Sequence, residues 1–219
     1  MSGKTENPAG KDTGKNIQPE SFRFSPENMA RIPDILGLYP AGRQESAVMP
    51  LLTLAQRQAG GWLPRVAMDR VAEILGMAPI RVYEIATFYS MYNHAPVGKN
   101  HIQICTTTPC WLRGSDEVVA SCRKILGIGL GETSEDGEFT LGEVECLGAC
   151  VNAPLFKIND DYFEDLDTAR VEAILTLLKR GDKPQPGSQS SRHGAAPFNG
   201  PTTLLEVPPR DSGKARGKS

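Results

Sequence analysis

The chain has 219 residues, enough for one large domain or two small ones. Its 24 basic and 26 acidic side chains give a formal net charge of −2. A nucleic-acid-binding protein typically has an excess of basic side chains, which this chain lacks. We therefore expect no nucleic-acid partner. No apolar run approaches the roughly 18 to 20 residues that a membrane helix needs, and we expect a soluble protein without direct membrane insertion.

Both ends of the chain have the composition of disordered segments. Residues 1–21 are rich in Gly, Lys, Asn and Pro, and residues 182–219 contain six prolines and few apolar side chains. The C-terminal segment is also locally basic. We therefore predict a disordered N-terminal segment, a folded body over 22–181, and a disordered basic tail.

Residues 22–96 have a helical pattern and predict a small all-helical domain. Its first helix begins at Ser25-Pro26-Glu27, because Ser caps a helix, Pro suits the first turn and Glu favours the positive end of the dipole. Three further helices are predicted over about 44–58, from Pro64 to Gly76, and from Pro79 to about Tyr89. Pro50, inside the second helix, should kink it or move its start.

Aromatic side chains gather near the C-terminal edge of this domain, among them Phe88, Tyr89 and Tyr92. Exposed aromatic side chains anchor protein partners, whereas buried ones stabilise a core. Both roles stay open for these residues.

From residue 97 the pattern changes to alternating strands and helices. Ile102 and Ile104 alternate with polar neighbours and predict a strand that leads into Cys105. The later elements are a helix over 115–126, a glycine-rich acidic loop over 127–137, a strand over 139–144, a hairpin over 155–163, and a helix between Asp167 and Gly181. Residues 97–181 should therefore form a thioredoxin-like α/β domain, which makes the whole chain α+β.

Four of the five cysteines form two short pairs, Cys105 with Cys110 and Cys146 with Cys150. Each pair begins where a predicted strand ends, so both loops should meet at one edge of the sheet. The pairs have four and three intervening residues, wider than the two that are usual in structural zinc sites. This spacing favours a [2Fe-2S] cluster with one pair per iron. A zinc site and a thiol redox pair remain alternatives.

The fifth cysteine, Cys122, lies on the apolar face of the helix predicted over 115–126, and we expect it in the core. His94 and His101 flank the predicted domain junction. A Rieske-type centre would use two histidines, but four available thiols make histidine ligands unnecessary.

The motif Cys-Thr-Thr-Thr-Pro-Cys at 105–110 and the run Glu-Val-Glu-Cys-Leu-Gly-Ala-Cys-Val-Asn-Ala-Pro at 143–154 resemble the 24 kDa subunit family of respiratory complex I, the NADH:quinone oxidoreductase. Gly-Trp-Leu at 61–63 and Ala-Thr-Phe-Tyr at 86–89 share the resemblance, which covers about 22–181. It implies a helical domain followed by a thioredoxin-like domain with a [2Fe-2S] cluster. The cluster ligands that it implies are Cys105, Cys110, Cys146 and Cys150.

The resemblance also implies a peripheral-arm subunit that docks on the flavoprotein subunit and a neighbouring iron-sulfur subunit. In this family the flavoprotein binds NADH and FMN and exchanges single electrons with the cluster. The chain has no glycine-rich dinucleotide fingerprint, so we expect NADH and FMN on the partner and no catalytic residues here. Close relatives serve NAD-linked formate dehydrogenases and hydrogenases, which leaves the parent complex open.

Location and reduction potential are further expectations. The chain begins at Met1 without a presequence, so we expect the bacterial cytoplasm, at the cytoplasmic face of the inner membrane within a membrane-bound complex. A mitochondrial source stays open. Four thiolates give the oxidised cluster a net negative charge, which predicts a low potential unless hydrogen bonds to sulfur raise it. The role of the 182–219 tail is not implied by the resemblance.

Overall fold

The computed structural model describes residues 18–197, 199–200, 202–203 and 205. Most of the predicted segment 1–21 and the end of the C-terminal tail therefore lie outside the described residues. The chain divides into two compact units, one up to Ile102 together with Leu126–Gly142, the other Gln103–Ile125 together with the chain from Glu143 onward. The predicted boundary between residues 96 and 97 remains a prediction.

The first unit begins with the predicted helices. They are α1 Pro26–Gly37, α2 Val48–Gln58, α3 Arg65–Leu75 and α4 Pro79–Phe88, with a short 3-10 helix at Gln44–Ala47 before α2. Pro50 was expected either to kink the second helix or to move its start. The structure shows the second outcome, because α2 begins at Val48 and not at about residue 44. Pro50 lies in the first turn of α2, where backbone N–H groups have no partner within the helix.

Local chemistry explains where these helices begin and end. The Ser25 hydroxyl accepts a hydrogen bond from the backbone N–H of Asn28 at 3.2 Å, which caps α1. Gly76 ends α3 at φ 65°, a left-handed conformation that glycine adopts at low cost. Leu51, Leu52 and Val71 are fully buried between the helices and form the centre of this core.

Of the three aromatic residues that the sequence left open between core packing and partner contact, one is buried and two are exposed. Tyr92 is only 3% exposed and belongs to the helical core, where its hydroxyl donates to the backbone oxygen of Met49. Phe88 and Tyr89 are 79% and 40% exposed. These two therefore remain candidates for contact with a partner.

The strands form one six-stranded sheet in the order β2-β3-β1-β4-β5-β6. Their bounds are β1 Asn100–Cys105, β2 Glu132–Thr133, β3 Phe139–Val144, β4 Phe156–Ile158, β5 Asp161–Glu164 and β6 Gly187–Ser188. The pairs β2–β3 and β4–β5 are antiparallel, whereas β5–β6 is parallel. The remaining helices are α5 Thr108–Leu112, α6 Ser115–Leu126, α7 Thr168–Lys179 and a 3-10 helix at Cys150–Asn152.

Three short elements differ from the sequence prediction. The five-residue helix α5 and the two-residue strands β2 and β6 are too short to show a hydrophobic period. The segment expected to be a solvated tail from residue 182 contains β6, which pairs with β5 through Phe163 and Gly187. Its order comes from tertiary pairing, which composition does not report.

The other elements of the α/β part follow the prediction. Asp167 caps α7 by accepting from the backbone N–H of Arg170 at 2.8 Å, and Gly181 follows the helix at φ 82°. In the hairpin, Phe156 pairs with Phe163, and Asn159 adopts φ 54° in the turn. Among the described residues, no helix is both long and apolar enough to span a bilayer.

Candidate metal centre

All four paired cysteines belong to the second unit, and the first cysteine of each pair lies at or just after the end of a strand. Cys105 is the last residue of β1, and Cys110 lies one turn later on α5. Cys146 follows β3, and Cys150 begins the 3-10 helix. The structure thus places the two pairs at the strand ends, as the sequence predicted.

The spacing of the second pair suits metal ligation. The Sγ atoms of Cys146 and Cys150 are 3.3 Å apart, and both thiols are free. A disulfide would need about 2.05 Å. Two thiolates on one tetrahedral metal ion, each with a metal–sulfur bond of about 2.3 Å, would lie roughly 3.8 Å apart. A small rotation of either side chain reaches that distance.

The two pairs also interact with each other. The charge of Cys105 acts to raise the pKa of Cys146, and the charge of Cys150 acts to raise the pKa of Cys110. Leu147 and Ala149 of the second loop also pack against the hydrophobic cluster that contains Cys105 and Cys110. Within the described residues, no three His, Cys, Asp or Glu side chains form a group compact enough for one metal ion. The donor set is four thiols in two pairs, which matches a [2Fe-2S] cluster with two thiolates per iron. The residues therefore fit this group.

The first pair is buried, and burial acts differently on its two members. Burial raises the pKa of Cys105, but hydrogen bonds from the Thr107 hydroxyl and from the backbone N–H groups of Leu147 and Thr107 outweigh it, so that the pKa is lowered overall. The Thr107 hydroxyl lies 3.3 Å from the Cys105 sulfur. For Cys110, burial and the neighbouring Cys105 raise the pKa to about 12. Cys105 is thus surrounded by donors that favour a thiolate.

The second pair lies at the surface, where a backbone donor contacts its first sulfur. The N–H of Gly148 donates to the Sγ of Cys146 at 3.4 Å, and this bond, with that from Cys150, lowers the pKa of Cys146. The hydrogen bond with Cys146 raises the pKa of Cys150. Gly148 has φ 83°, so a residue with a side chain would be strained at this turn.

The β4–β5 hairpin supports both cysteine loops. Leu155, which leads into β4, accepts a hydrogen bond from the N–H of Cys105 at 3.2 Å. Tyr162 of β5 donates from its hydroxyl to the backbone oxygen of Leu147 at 3.1 Å. Leu155 and Ala153 also pack against Cys105 and Cys110. The hairpin thus fixes the backbone from which the thiols project.

The other sequence candidates belong to other elements of the fold. Cys122 is fully buried on α6, where burial raises its pKa to about 12, as expected of a core cysteine. His94 and His101 belong to the first unit. The hydroxyl of Thr106 donates to the carboxylate of Glu143, so it is not committed to a sulfur.

Sequence reasoning missed an exposed apolar rim beside the cysteines. Trp111 and Leu112, directly after Cys110, are 56% and 70% exposed, and Val151, directly after Cys150, is 66% exposed. We call these three residues the apolar rim. Its signal in the sequence was the position of apolar residues immediately after candidate ligands, but sequence does not report exposure.

Comparison with known proteins identifies the class. Residues 32–179 match a family model described as thioredoxin-like [2Fe-2S] ferredoxin. The chain belongs to this family, and its cofactor is a [2Fe-2S] cluster. The predicted fold and cofactor are thereby confirmed over the zinc and thiol redox alternatives.

Two relatives narrow the family further. Mitochondrial NADH dehydrogenase [ubiquinone] flavoprotein 2 from Dictyostelium discoideum is 49% identical over 197 residues, which cover 90% of this chain and 80% of the relative. The E subunit of NADH-quinone oxidoreductase from Rickettsia bellii is 54% identical over 164 residues, which cover 75% of this chain and 98% of the relative. The chain is thus a homologue of this NADH-quinone oxidoreductase component, as the sequence motifs predicted.

A solved structure of an NAD+-reducing [NiFe]-hydrogenase in the air-oxidized state is also similar. The match has a TM-score of 0.52 and 21% sequence identity, and it covers 60% of this chain and 23% of that chain. This chain therefore spans about a quarter of the hydrogenase chain. At this identity the likeness shows the fold alone.

Proposed function

We propose that the chain is the one-electron carrier of an NADH dehydrogenase module, and that Cys105, Cys110, Cys146 and Cys150 ligate its [2Fe-2S] cluster. The observation that carries this proposal is that two free cysteine pairs lie in one unit, with Leu147 and Ala149 of the second loop packed against the hydrophobic cluster that contains Cys105 and Cys110. It occurs in a chain 54% identical to a component of an NADH-quinone oxidoreductase. The bound cluster supplies transfer of one electron at a time.

The chain's own groups hold and tune this centre. The Thr107 hydroxyl and the backbone N–H groups of Leu147 and Gly148 donate to ligand sulfurs. Such donors stabilise the reduced, more negative state and raise the reduction potential. No proton donor or nucleophile is needed for this step. We therefore assign the chain no catalytic residue, with FMN and NADH on a partner.

The apolar rim is the face that we assign to the flavoprotein partner. Large apolar side chains beside a redox centre are unfavourable in water and suit an interface. An electron also passes only over short distances, so the partner's flavin has to approach the cysteine loops. A neighbouring iron-sulfur subunit and attachment at the cytoplasmic face of a membrane complete the proposed assembly.

A second candidate is the equivalent diaphorase subunit of an NAD-linked hydrogenase or formate dehydrogenase. The family resemblance leaves this role open, whereas the likeness to the hydrogenase, at 21% identity, shows the fold alone. The chemistry of the chain would be the same. The protein that co-purifies with the chain at native expression levels distinguishes the two candidates.

The proposal is tested by the iron, zinc and sulfide content of anaerobically purified protein, with EPR before and after dithionite. We expect about two irons and two sulfides per chain, no EPR signal when oxidised and an S = 1/2 signal when reduced. One zinc without sulfide would overturn the proposal.

Cysteine variants test the ligand assignment. We expect Cys146→Ser and Cys110→Ser to lose or strongly alter the EPR signal. Cys122→Ala is the matched control, because Cys122 is buried on α6 outside the pairs, and it should keep the full iron content. Equal losses in Cys122→Ala and Cys146→Ser would contradict the assignment.

A further inference from the structure

The segment after α7 returns to the cysteine loops instead of leaving the fold. Gly187 and Ser188 form β6, which pairs in parallel with Phe163 and Glu164 of β5. The next N–H, that of Gln189, donates to the backbone oxygen of Glu164 at 2.9 Å. The chain is thereby led along the hairpin that supports the centre.

A nearly buried ion pair holds this segment. The Nε of Arg192 donates to Oδ2 of Asp165 at 3.2 Å, and its Nη2 donates to Oδ1. The two side chains are only 13% and 10% exposed. Ser188 donates from its hydroxyl to the same carboxylate at 2.6 Å. The two hydrogen bonds from the Arg192 guanidinium and the third from Ser188 together fix the orientation of the Asp165 carboxylate.

The same segment contacts the two residues that follow Cys150. Nη2 of Arg192 also donates to the backbone oxygen of Val151 at 3.1 Å. The side-chain amide of Asn152 donates to the backbone oxygen of Gly194 at 3.0 Å. Asn152 is 4% exposed, so this amide contact is formed away from water.

We propose that residues 187–194 form a clamp on the 3-10 helix Cys150–Asn152, which we call the Cys150 turn. In this clamp Arg192 is a positioning residue for the [2Fe-2S] cluster. The clamp holds Val151 and Asn152, and through them it limits how far the Cys150 thiolate can move from its iron. This inference rests on the proposed role of Cys150 as a ligand. Without the clamp, the turn opens more often and the cluster is lost sooner.

The test uses the full-length holoprotein and Arg192→Gln, which removes the forked ion pair and the donor to Val151. Arg180→Gln is the matched control, because Arg180 is an exposed arginine of the same unit at the end of α7. We measure the rate at which iron is released to a chelator under anaerobic conditions, and the EPR line shape of the reduced protein. We expect at least threefold faster release and an altered line shape in Arg192→Gln only.

The outcomes separate this inference from the proposed function. If wild-type protein holds the cluster, Cys150→Ser loses it, and Arg192→Gln matches Arg180→Gln in both measurements, the clamp is wrong and the function stands. If Cys150→Ser keeps the wild-type EPR signal, Cys150 is not a cluster ligand. The proposed ligand assignment is then wrong, and so is the clamp that rests on it.

Hydrogen exchange on the wild-type holoprotein tests the clamp without any variant. We expect the amide of Gln189, and peptides over 187–194, to exchange far more slowly than an unstructured peptide of the same sequence. Exchange at the rate of that unstructured peptide would overturn the clamp, whatever the folding behaviour of Arg192→Gln.

Discussion

At the scale of single residues, Thr106 and Thr107 show how neighbours of one ligand differ. The Thr107 hydroxyl lies 3.3 Å from the Cys105 sulfur, whereas the Thr106 hydroxyl donates to Glu143. Thr106 and Thr107 are the first two residues after Cys105. Side-chain direction in the folded loop separates them, and the sequence does not encode that direction in a visible pattern.

We predict that Thr107→Val lowers the reduction potential. A hydrogen bond to a charged group is worth about 1.5–3 kcal/mol, and because only its difference between oxidation states counts, we expect a shift on the order of tens of millivolts. A redox titration followed by EPR measures it. Thr106→Val is the control and should leave the potential within a few millivolts; equal shifts in both variants would contradict the prediction.

Cys122 should resist alkylation. Its thiol is fully buried and burial raises its pKa to about 12, so at pH 8 only about one thiol in ten thousand is the reactive thiolate. After the iron is removed, iodoacetamide should label the exposed Cys146 well before Cys122, as followed by peptide mass spectrometry. Labelling of both at the same rate would show that Cys122 is not in a closed core.

At the scale of elements, α7 shows a cap that the sequence located. Asp167 accepts from the N–H of Arg170 at 2.8 Å, and the helix buries Val171, Ile174 and Leu175. Asp before a helical run is a local signal, so it was readable without tertiary information. The parallel pairing of β6 with β5 had no such local signal, since two residues carry no period.

We predict that Asp167→Ala lowers the thermal midpoint of the holoprotein by about 2–4 °C, because a lost cap costs about 1 kcal/mol in a chain of this size. Circular dichroism at fixed protein concentration measures the shift. Asp167→Asn retains a capping oxygen, and although it loses the exposed ion pair with Arg170, it should stay near the wild-type midpoint. A midpoint for Asp167→Asn as low as that of Asp167→Ala would place the effect in the ion pair instead.

At the scale of the whole molecule, function depends on surfaces that the isolated chain leaves exposed. The apolar rim lies beside two ligand candidates in the second unit, with Trp111 56% exposed. Such a residue is costly to expose and well suited to a partner's pocket. It therefore carries the proposed contact with the flavoprotein subunit.

We predict that Trp111→Glu weakens binding to the purified FMN-loaded flavoprotein subunit at least tenfold, about 1.4 kcal/mol, without changing iron content. Calorimetric titration of the two subunits measures the affinity. Leu38→Glu is the control, because Leu38 is 78% exposed and belongs to the first unit, whereas Trp111 belongs to the second. Unchanged affinity in Trp111→Glu would remove the apolar rim from the interface.

The sequence by itself determined the four helices of the first unit, the strands leading to Cys105 and Cys146, and the four candidate ligands. These features depend on hydrophobic period, local caps and cysteine spacing, which act over a few residues. Tertiary structure alone decided the exposed apolar rim, the choice of Thr107 over Thr106 as donor, and the return of residues 187–194 to the Cys150 turn. Those depend on contacts between residues distant in the chain, where neither composition nor period carries a signal.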